Sequence, residues 1–481
     1  MSQNLVEERF YITGNLEVVS PLIIGSGEDD RTDIDLIRDG SGQPFIPGTS
    51  IAGVLRHHLD ETIEKNKNKT NPIVLTLLGE KEKESIQSLL MISDALPGKD
   101  TDMNVSVRDG IKLDYQTKTV AKHDVKSVKK SGAKYDYEVI EPGASFGLRM
   151  ELLIRENNKQ NDEIEKIYDC LALIIEALEQ GDMQMGAKTA RGFGKLQLKN
   201  TKLLKLDMNN KTDAERWIDF DWDNWKFESN FSYFQLKKNI LKKQEKEKNE
   251  ISAYFSIPYS LIVRHYSENP DDDDTVHLTS NGKLVIPGTS WNGAIRHAIY
   301  HVMGELLPDL DNALTSQKID NISGKIIDDM FGYVKTGKKK ALARASRVSI
   351  GESSVNGGTL ISCTRNKVDR FTGGVVDSAL FSEKPVYGGT VTLNISIKKP
   401  AEANKEKAEI GLLFLALKDI GSGIQPLGGD ANIGRGILKL EKPGGMTING
   451  ASYKDRERQY LPELLKYLET LIKEFKGEIH E

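Results

Sequence analysis

The chain has 481 residues, of which 38% are hydrophobic and 28% charged, with a formal net charge of −5. That length exceeds what one core supports, and no apolar run reaches the roughly 20 residues of a membrane span, so a soluble chain of two or more domains is expected. Two cysteines, Cys170 and Cys363, argue against a disulfide framework or a cysteine-rich zinc site. The start Met1-Ser2-Gln3-Asn4 lacks the basic and apolar regions of a signal peptide, so a cytoplasmic setting is expected.

From the N-terminus, Phe10–Val19 reads as a strand. An acid-containing loop follows, Arg31-Thr32-Asp33-Ile34-Asp35-Leu36-Ile37-Arg38-Asp39, and leads to the turn Ile46-Pro47-Gly48-Thr49-Ser50. A helix is predicted after it, with Thr49 or Ser50 as N-cap and Leu55, Leu59 and Ile63 spaced by four. A strand is predicted from Gly147 to Ile154, then a long apolar helix, Ile164–Leu178. A glycine loop, Gly186-Ala187-Lys188-Thr189-Ala190-Arg191-Gly192-Phe193-Gly194, closes the set.

The order then returns. Ile46–His57 recurs as Ile286–His297, 240 residues later, with eight of twelve positions identical. A period of half the chain marks a duplicated domain rather than a solenoid unit. In the second copy a strand covers Ile251–Ile257, a long helix Ala408–Ile420, and a glycine loop Gly428–Gly436 with Arg435. Each half reads strand, loop, helix, strands, helix, glycine loop, strand. That suits an α+β fold with helices on one face of an antiparallel sheet, leaving the other face free for binding. The expected domains are 1–204 and 250–445, with a linker at 205–249 and a C-terminal helical extension at 446–481. Trp217, Trp222 and Trp225 in the linker are expected to pack it onto a domain.

Net negative charge argues against binding nucleic acid by bulk charge, but not against a local basic stripe. Lys118, Lys122 and Lys126 lie in one such stretch, and Lys335, Lys338, Lys339, Lys340, Arg344 and Arg347 in another; either could equally be a solvated loop. Arg56 and Arg296 occupy matched positions on the first helix of each half and read as phosphate ligands, with an intradomain salt bridge as the alternative. Arg191 and Arg435, in the closing glycine loops, are candidate RNA-backbone contacts.

The Ile-Pro-Gly turn, the helix with Gly and Arg, the segment Val368-Asp369-Arg370-Phe371-Thr372-Gly373-Gly374 and the terminal Gly-Arg-Gly loop together resemble the RAMP superfamily. They are most similar to the backbone subunit of type III CRISPR effector complexes, here two backbone units fused as in type III-D-like complexes. The resemblance implies two tandem ferredoxin-like (RNA-recognition-type) domains, each with a thumb hairpin insertion, Ile111–Val139 in the first and Asn366–Tyr387 in the second. It implies partners as well: CRISPR RNA, complementary target RNA and other effector subunits, including a large polymerase/cyclase-type subunit.

It also implies a metal-dependent endoribonuclease in which an Asp of the loop before Ile-Pro-Gly is catalytic. Family spacing selects Asp33, and the 240-residue offset carries it to Asp273 within Asp271–Asp274. A carboxylate there could accept the 2′-hydroxyl proton or hold hydrated Mg²⁺ or Mn²⁺ beside the phosphate. The alternative is a structural backbone or capping subunit that binds RNA without cutting.

Overall fold

The computed structural model describes residues 5–27, 32–63, 70–79, 86–98, 101–111, 113–114, 134–159, 163–224, 228–241, 248–266, 272–336, 341–441, 445–455 and 457–477. The chain divides into two units. The first holds Met1–Val107, Glu138–Thr189 and Phe193–Lys246; the second holds Arg108–Tyr137, Ala190–Gly192 and Glu247–Glu481. Two short segments of first-repeat sequence therefore belong to the second unit.

In the first unit, Val6–Val18 forms the centre of an antiparallel sheet. Ser145–Arg155 pairs on one side of it and Leu196–Asp207 on the other, and Leu90–Ile92 adds to Ser145–Arg155. In chain order this is the 4-1-3-2 arrangement of a ferredoxin-like βαββαβ unit. Strand alternation sends Phe146, Leu148, Met150, Leu152 and Ile154 to one face, all fully buried. Against them pack Ile51, Leu55 and Leu59 of the helix Gly48–Thr62 and Ile167, Leu171, Ile174 and Leu178 of the helix Ile164–Gln180. Each such side chain contributes about 1.5–3 kcal/mol on burial.

The second unit repeats the order. Lys248–Ser256 lies between Thr390–Lys398 and the pair Lys439–Leu440 and Met446–Ile448, and Val348–Ile350 and Ser353–Asn356 extend the sheet beyond Thr390–Lys398. Its core joins Phe255, Ile395 and Leu393 to Trp291 and Ile295 of the helix Gly288–Leu310 and to Leu413 and Leu417 of Ala403–Gly421. The C-terminal helix Glu457–Lys476 buries Leu464, Leu468 and Ile472 in that same core, as its four-residue spacing predicts.

Both helices after Ile-Pro-Gly begin two or three residues earlier than expected. Pro47 and Pro287, with extended backbone, are the N-caps, and no side chain caps either helix. Thr49, Ser50, Thr289 and Ser290 sit inside the first turn. Glycine is required at Gly48 because a Cβ there would stand 2.4 Å from the Ile92 carbonyl oxygen.

The free sheet face expected of each domain is covered in the first unit. Tyr11 points away from the helices, and Phe220 stacks on it at 4.0 Å between ring centroids. Trp222 meets both rings edge-on, and the Arg9 guanidinium lies 4.4 Å from the Trp217 ring. Residues 205–224 and 228–241 thus pack on the first unit instead of forming a bare linker; Trp225 lies outside the described residues. Their strongest anchor is Asp169, whose buried carboxylate accepts hydrogen bonds from four successive backbone N–H groups, Lys238 to Leu241, at 2.5–3.2 Å. With Asn239 in the left-handed region, these amides form a concave nest that the carboxylate fills. In the second unit the equivalent face is polar: Ser252 bonds Asn394 across strands, and Tyr254 is exposed.

Candidate functional site

The loop before the first Ile-Pro-Gly is held by two acids, neither of them Asp33. Asp35 is buried and accepts from Thr32 through its N–H (3.1 Å) and hydroxyl (2.6 Å). Glu138 accepts from the Leu36 N–H and from the Arg38 guanidinium, at 2.9–3.1 Å. Asp39 accepts from Ser41 and from the Gln43 N–H. Those donors hold its carboxyl below the usual range, so Asp39 caps the turn. Asp33 stands exposed in the bend between these anchors.

In the second unit every described acid of the loop is engaged. Asp272 pairs with Lys384 Nζ at 3.3 Å, Asp273 accepts from the Ser362 hydroxyl at 2.6 Å, and Asp274 accepts from the Ser382 N–H at 2.7 Å. Asp271 lies outside the described residues. The loop is therefore tied to the hairpin strands Cys363–Val368 and Val375–Lys384 rather than merely solvated.

Hydrogen bonds within each unit also correct the register between repeats. Ile37 donates to the Ile24 carbonyl, and Leu278 donates to the Val263 carbonyl. The separation there is 278 − 37 = 241 residues, not 240, because the following hairpin turn is one residue shorter in the second copy: Arg38 bridges Pro44, whereas Thr279 pairs with Leu284. By this register Asp274, not Asp273, stands opposite Asp33, and Ser280 opposite Asp39.

A second slip affects the glycine loops. Gly194 donates to the Pro21 carbonyl and Gly436 to the Ser260 carbonyl, a separation of 436 − 194 = 242. Arg435 therefore corresponds to buried Phe193, and Arg191 to Ile433. Arg435 accordingly is 3% exposed and pairs with Glu383 (2.8 Å) and Asp430 (3.1 Å), which removes it from the surface contact expected of it. Arg191 is half-buried in the segment Ala190–Gly192, and its carbonyl oxygen lies 2.3 Å from where a Cβ on Gly288 would be.

Arg56 has partners within its own unit. Its Nη2 donates to the carbonyls of Leu78 and Gly79 at 2.8 Å, closing the C-terminal end of the helix Pro72–Leu78. Arg296 lies over the ring of Phe331, at the matched end of Ser316–Phe331. Arg347 pairs with Glu409 and Asp329, and Arg344 with Asp329, so part of the second basic stretch serves the fold. Lys118, Lys122, Lys126 and Lys338–Lys340 lie outside the described residues. At the N-terminus of the helix Gly48–Thr62 the Gly48 N–H donates to Asp94 Oδ1 at 2.7 Å.

The two hairpin stretches differ in what is described. Val105–Ile111 and Lys134–Ile140 form the first, whose Arg108 is buried in the second unit and pairs with Glu352 at 2.7 Å. The second, Cys363–Val368 with Val375–Lys384, turns at Asp369, which accepts from the N–H groups of Phe371 and Thr372. Those bonds hold its carboxyl below the ordinary range. The Phe371 side chain at the tip is 97% exposed.

Sequence reasoning missed one constellation. Arg264, Arg365 and Arg435 surround Glu383 and Asp430 in the second unit. The residues are up to 171 positions apart, so no local pattern announces them. Among the described residues no group of three or more His, Cys, Asp or Glu is placed to hold a metal ion, and no helix is long and apolar enough to cross a membrane.

No curated protein matches the chain. A family model, that of the RAMP superfamily, matches it twice, over residues 15–197 and 237–439, the two regions that carry the two sheets. The chain belongs to the RAMP superfamily of CRISPR-associated RNA-binding proteins and carries two RAMP units in one polypeptide.

Proposed function

We propose that the chain is a fused, two-unit backbone subunit of a type III CRISPR effector complex, cytoplasmic, holding CRISPR RNA and cutting the target RNA paired to it. The observation that carries this reading is the exposed Asp33, in the bend that Thr32 and the buried Asp35 close, in the loop before Ile-Pro-Gly of a RAMP unit. Cleavage by the RNA's own 2′-hydroxyl needs that oxygen deprotonated and in line with the leaving 5′-oxygen. The Asp33 carboxylate accepts the proton or orients a hydrated cation. Mg²⁺ or Mn²⁺ would supply charge neutralisation at the phosphate. The Asp33 carboxylate would hold such an ion with RNA phosphate oxygens completing its shell. The other effector subunits, a large polymerase/cyclase-type subunit among them, complete the assembly.

In the second unit the acid belongs to the pair Asp273 and Asp274, with the hydrogen-bond register favouring Asp274. A non-cleaving second unit is the alternative. The engagement of Asp272, Asp273 and Asp274 by hairpin side chains and backbone favours it.

The test assembles the complex with guide and end-labelled target, with Mg²⁺ or EDTA. Asp33→Asn, Asp273→Asn and Asp274→Asn are compared with wild type. Loss of one cut with Asp33→Asn, target binding retained, supports the reading. An unchanged ladder in the Asp33→Asn/Asp273→Asn/Asp274→Asn triple variant would sink it.

A further inference from the structure

Four positions of the second unit changed together relative to the first. Hydrogen-bond registers align Arg264 with Gly25, Glu383 with Tyr137, Asp430 with Lys188 and Arg435 with Phe193. In the second unit these residues meet. Arg264 reaches Asp430 and Glu383, Arg435 bonds both acids, and Arg365 lies 3.6 Å from Glu383. Three guanidinium groups thus share two carboxylates, and the cluster is one negative charge short.

The deficit has an address. Glu383 and Arg435 are buried, with side chains 4% and 3% exposed, whereas Arg264 and Arg365 are 45% and 33% exposed. Buried Arg435 spends Nη1 on both acids, and its Nη2 has no hydrogen-bond partner. A buried guanidinium with an idle donor is costly unless an acceptor completes it. The layout is a buried cationic floor with two half-exposed arginines at its rim. Arginine forks match the paired oxygens of a phosphodiester, and carboxylates behind hold the forks in place.

We propose that Arg264 and Arg365, backed by Arg435, form a seat for one RNA backbone phosphate, present in the second unit and absent from the first. The seat lies across the strand Val375–Lys384 from the acid loop. Ser382 and Lys384 hold Asp274 and Asp272 from one side of that strand, and Glu383, of opposite parity, holds the arginines from the other. It therefore grips the strand's backbone rather than the scissile group, and it rests on the RNA-binding reading but not on cleavage.

The experiment titrates the full-length chain into fluorescently labelled single-stranded RNA at several NaCl concentrations, by anisotropy. Each phosphate neutralised contributes about 0.7 to the slope of log K against log salt for single strands. Arg264→Gln/Arg365→Gln is expected to lower the slope by about 0.7 and the affinity several-fold at low salt. Arg365→Gln alone, which disturbs the buried acids least, is expected to lower both in the same direction, and an unchanged melting temperature in that variant shows the fold is intact. Inorganic phosphate should raise the melting temperature of wild type more than that of the double variant.

An unchanged slope in the double variant overturns the proposal, as does phosphate stabilisation without any change in RNA slope, which would mark a free-anion site. Wild type that fails to bind RNA at all would instead refute the RNA-binding reading. Lys211→Gln, at an exposed lysine of the helix Lys211–Ile218, serves as the control that leaves the slope in place.

Discussion

Replacing Asp169 with Asn changes one heavy-atom identity and almost no volume, and it should release residues 238–241 from the first unit. The carboxylate offers Oδ1 to the N–H groups of Lys238 and Asn239 and Oδ2 to those of Ile240 and Leu241, at 2.5–3.2 Å. An amide can satisfy only one of these pairs, because its NH₂ would face donors at the other. A hydrogen bond to a charged group is worth about 1.5–3 kcal/mol, and two are lost while the remaining two weaken. Lys238, Asn239 and Ile240 are exposed, so their amides regain water and part of the cost returns. The net loss is about 2–4 kcal/mol. For a unit of this size that lowers the melting temperature by roughly 4–16 °C. Calorimetry on the full-length chain reads the shift in whichever transition belongs to the first unit, and hydrogen exchange reads protection at 238–241. The salt bridge of Lys237 to Glu176, at 2.7 Å, should persist as an internal control. A shift below 2 °C with unaltered exchange at these four amides would refute the nest as an anchor.

Two further outcomes follow from single side chains. His277 is buried, accepts from the Val263 N–H at Nδ1 and contacts the Val285 carbonyl through Nε2, which suits only the neutral ring. Burial pushes its pKa from 6.5 down to about 4, so the unfolded chain binds the proton first. Its contribution is fully present above pH 6.5 and falls away as pH drops towards 4, by about 3 kcal/mol in total; His277→Gln should flatten stability against pH in that window, and an identical slope would count against the buried neutral ring. Gly48→Ala should cost about 1–3 kcal/mol, since its Cβ would meet backbone at 2.4 Å, whereas Gly53→Ala in the same helix meets nothing within 4 Å and should gain up to about 1 kcal/mol; chemical denaturation ranks the two, and equal effects would contradict the close approach.

Duplication made the fold readable. Apolar spacing placed the helices, and the twice-repeated order of elements reproduced the ferredoxin-like topology seen in both sheets. Site residues were less legible because the repeats were aligned by one constant offset. A turn shortened by one residue moves the partner of Asp33 from Asp273 to Asp274. Sequence also counts a charge without its partner. Arg56 looked available until the carbonyls of Leu78 and Gly79 were seen around it, and Arg435 until Glu383 and Asp430 were. The covered sheet face escaped notice because the aromatic residues on Tyr11 come some 210 positions later in the chain.

Arg108 and Glu352 are 244 residues apart, one from each copy of the repeat, and both belong to the second unit. Ala190–Gly192, also from the first copy, is spent there as well. The two copies have therefore ceased to be interchangeable parts. A gene cut between them would not yield two self-sufficient proteins: the downstream product would lack the guanidinium that neutralises Glu352. Inheritance now acts on the pair as one locus, and a change at Arg108 is answered, if at all, by a change in the other half.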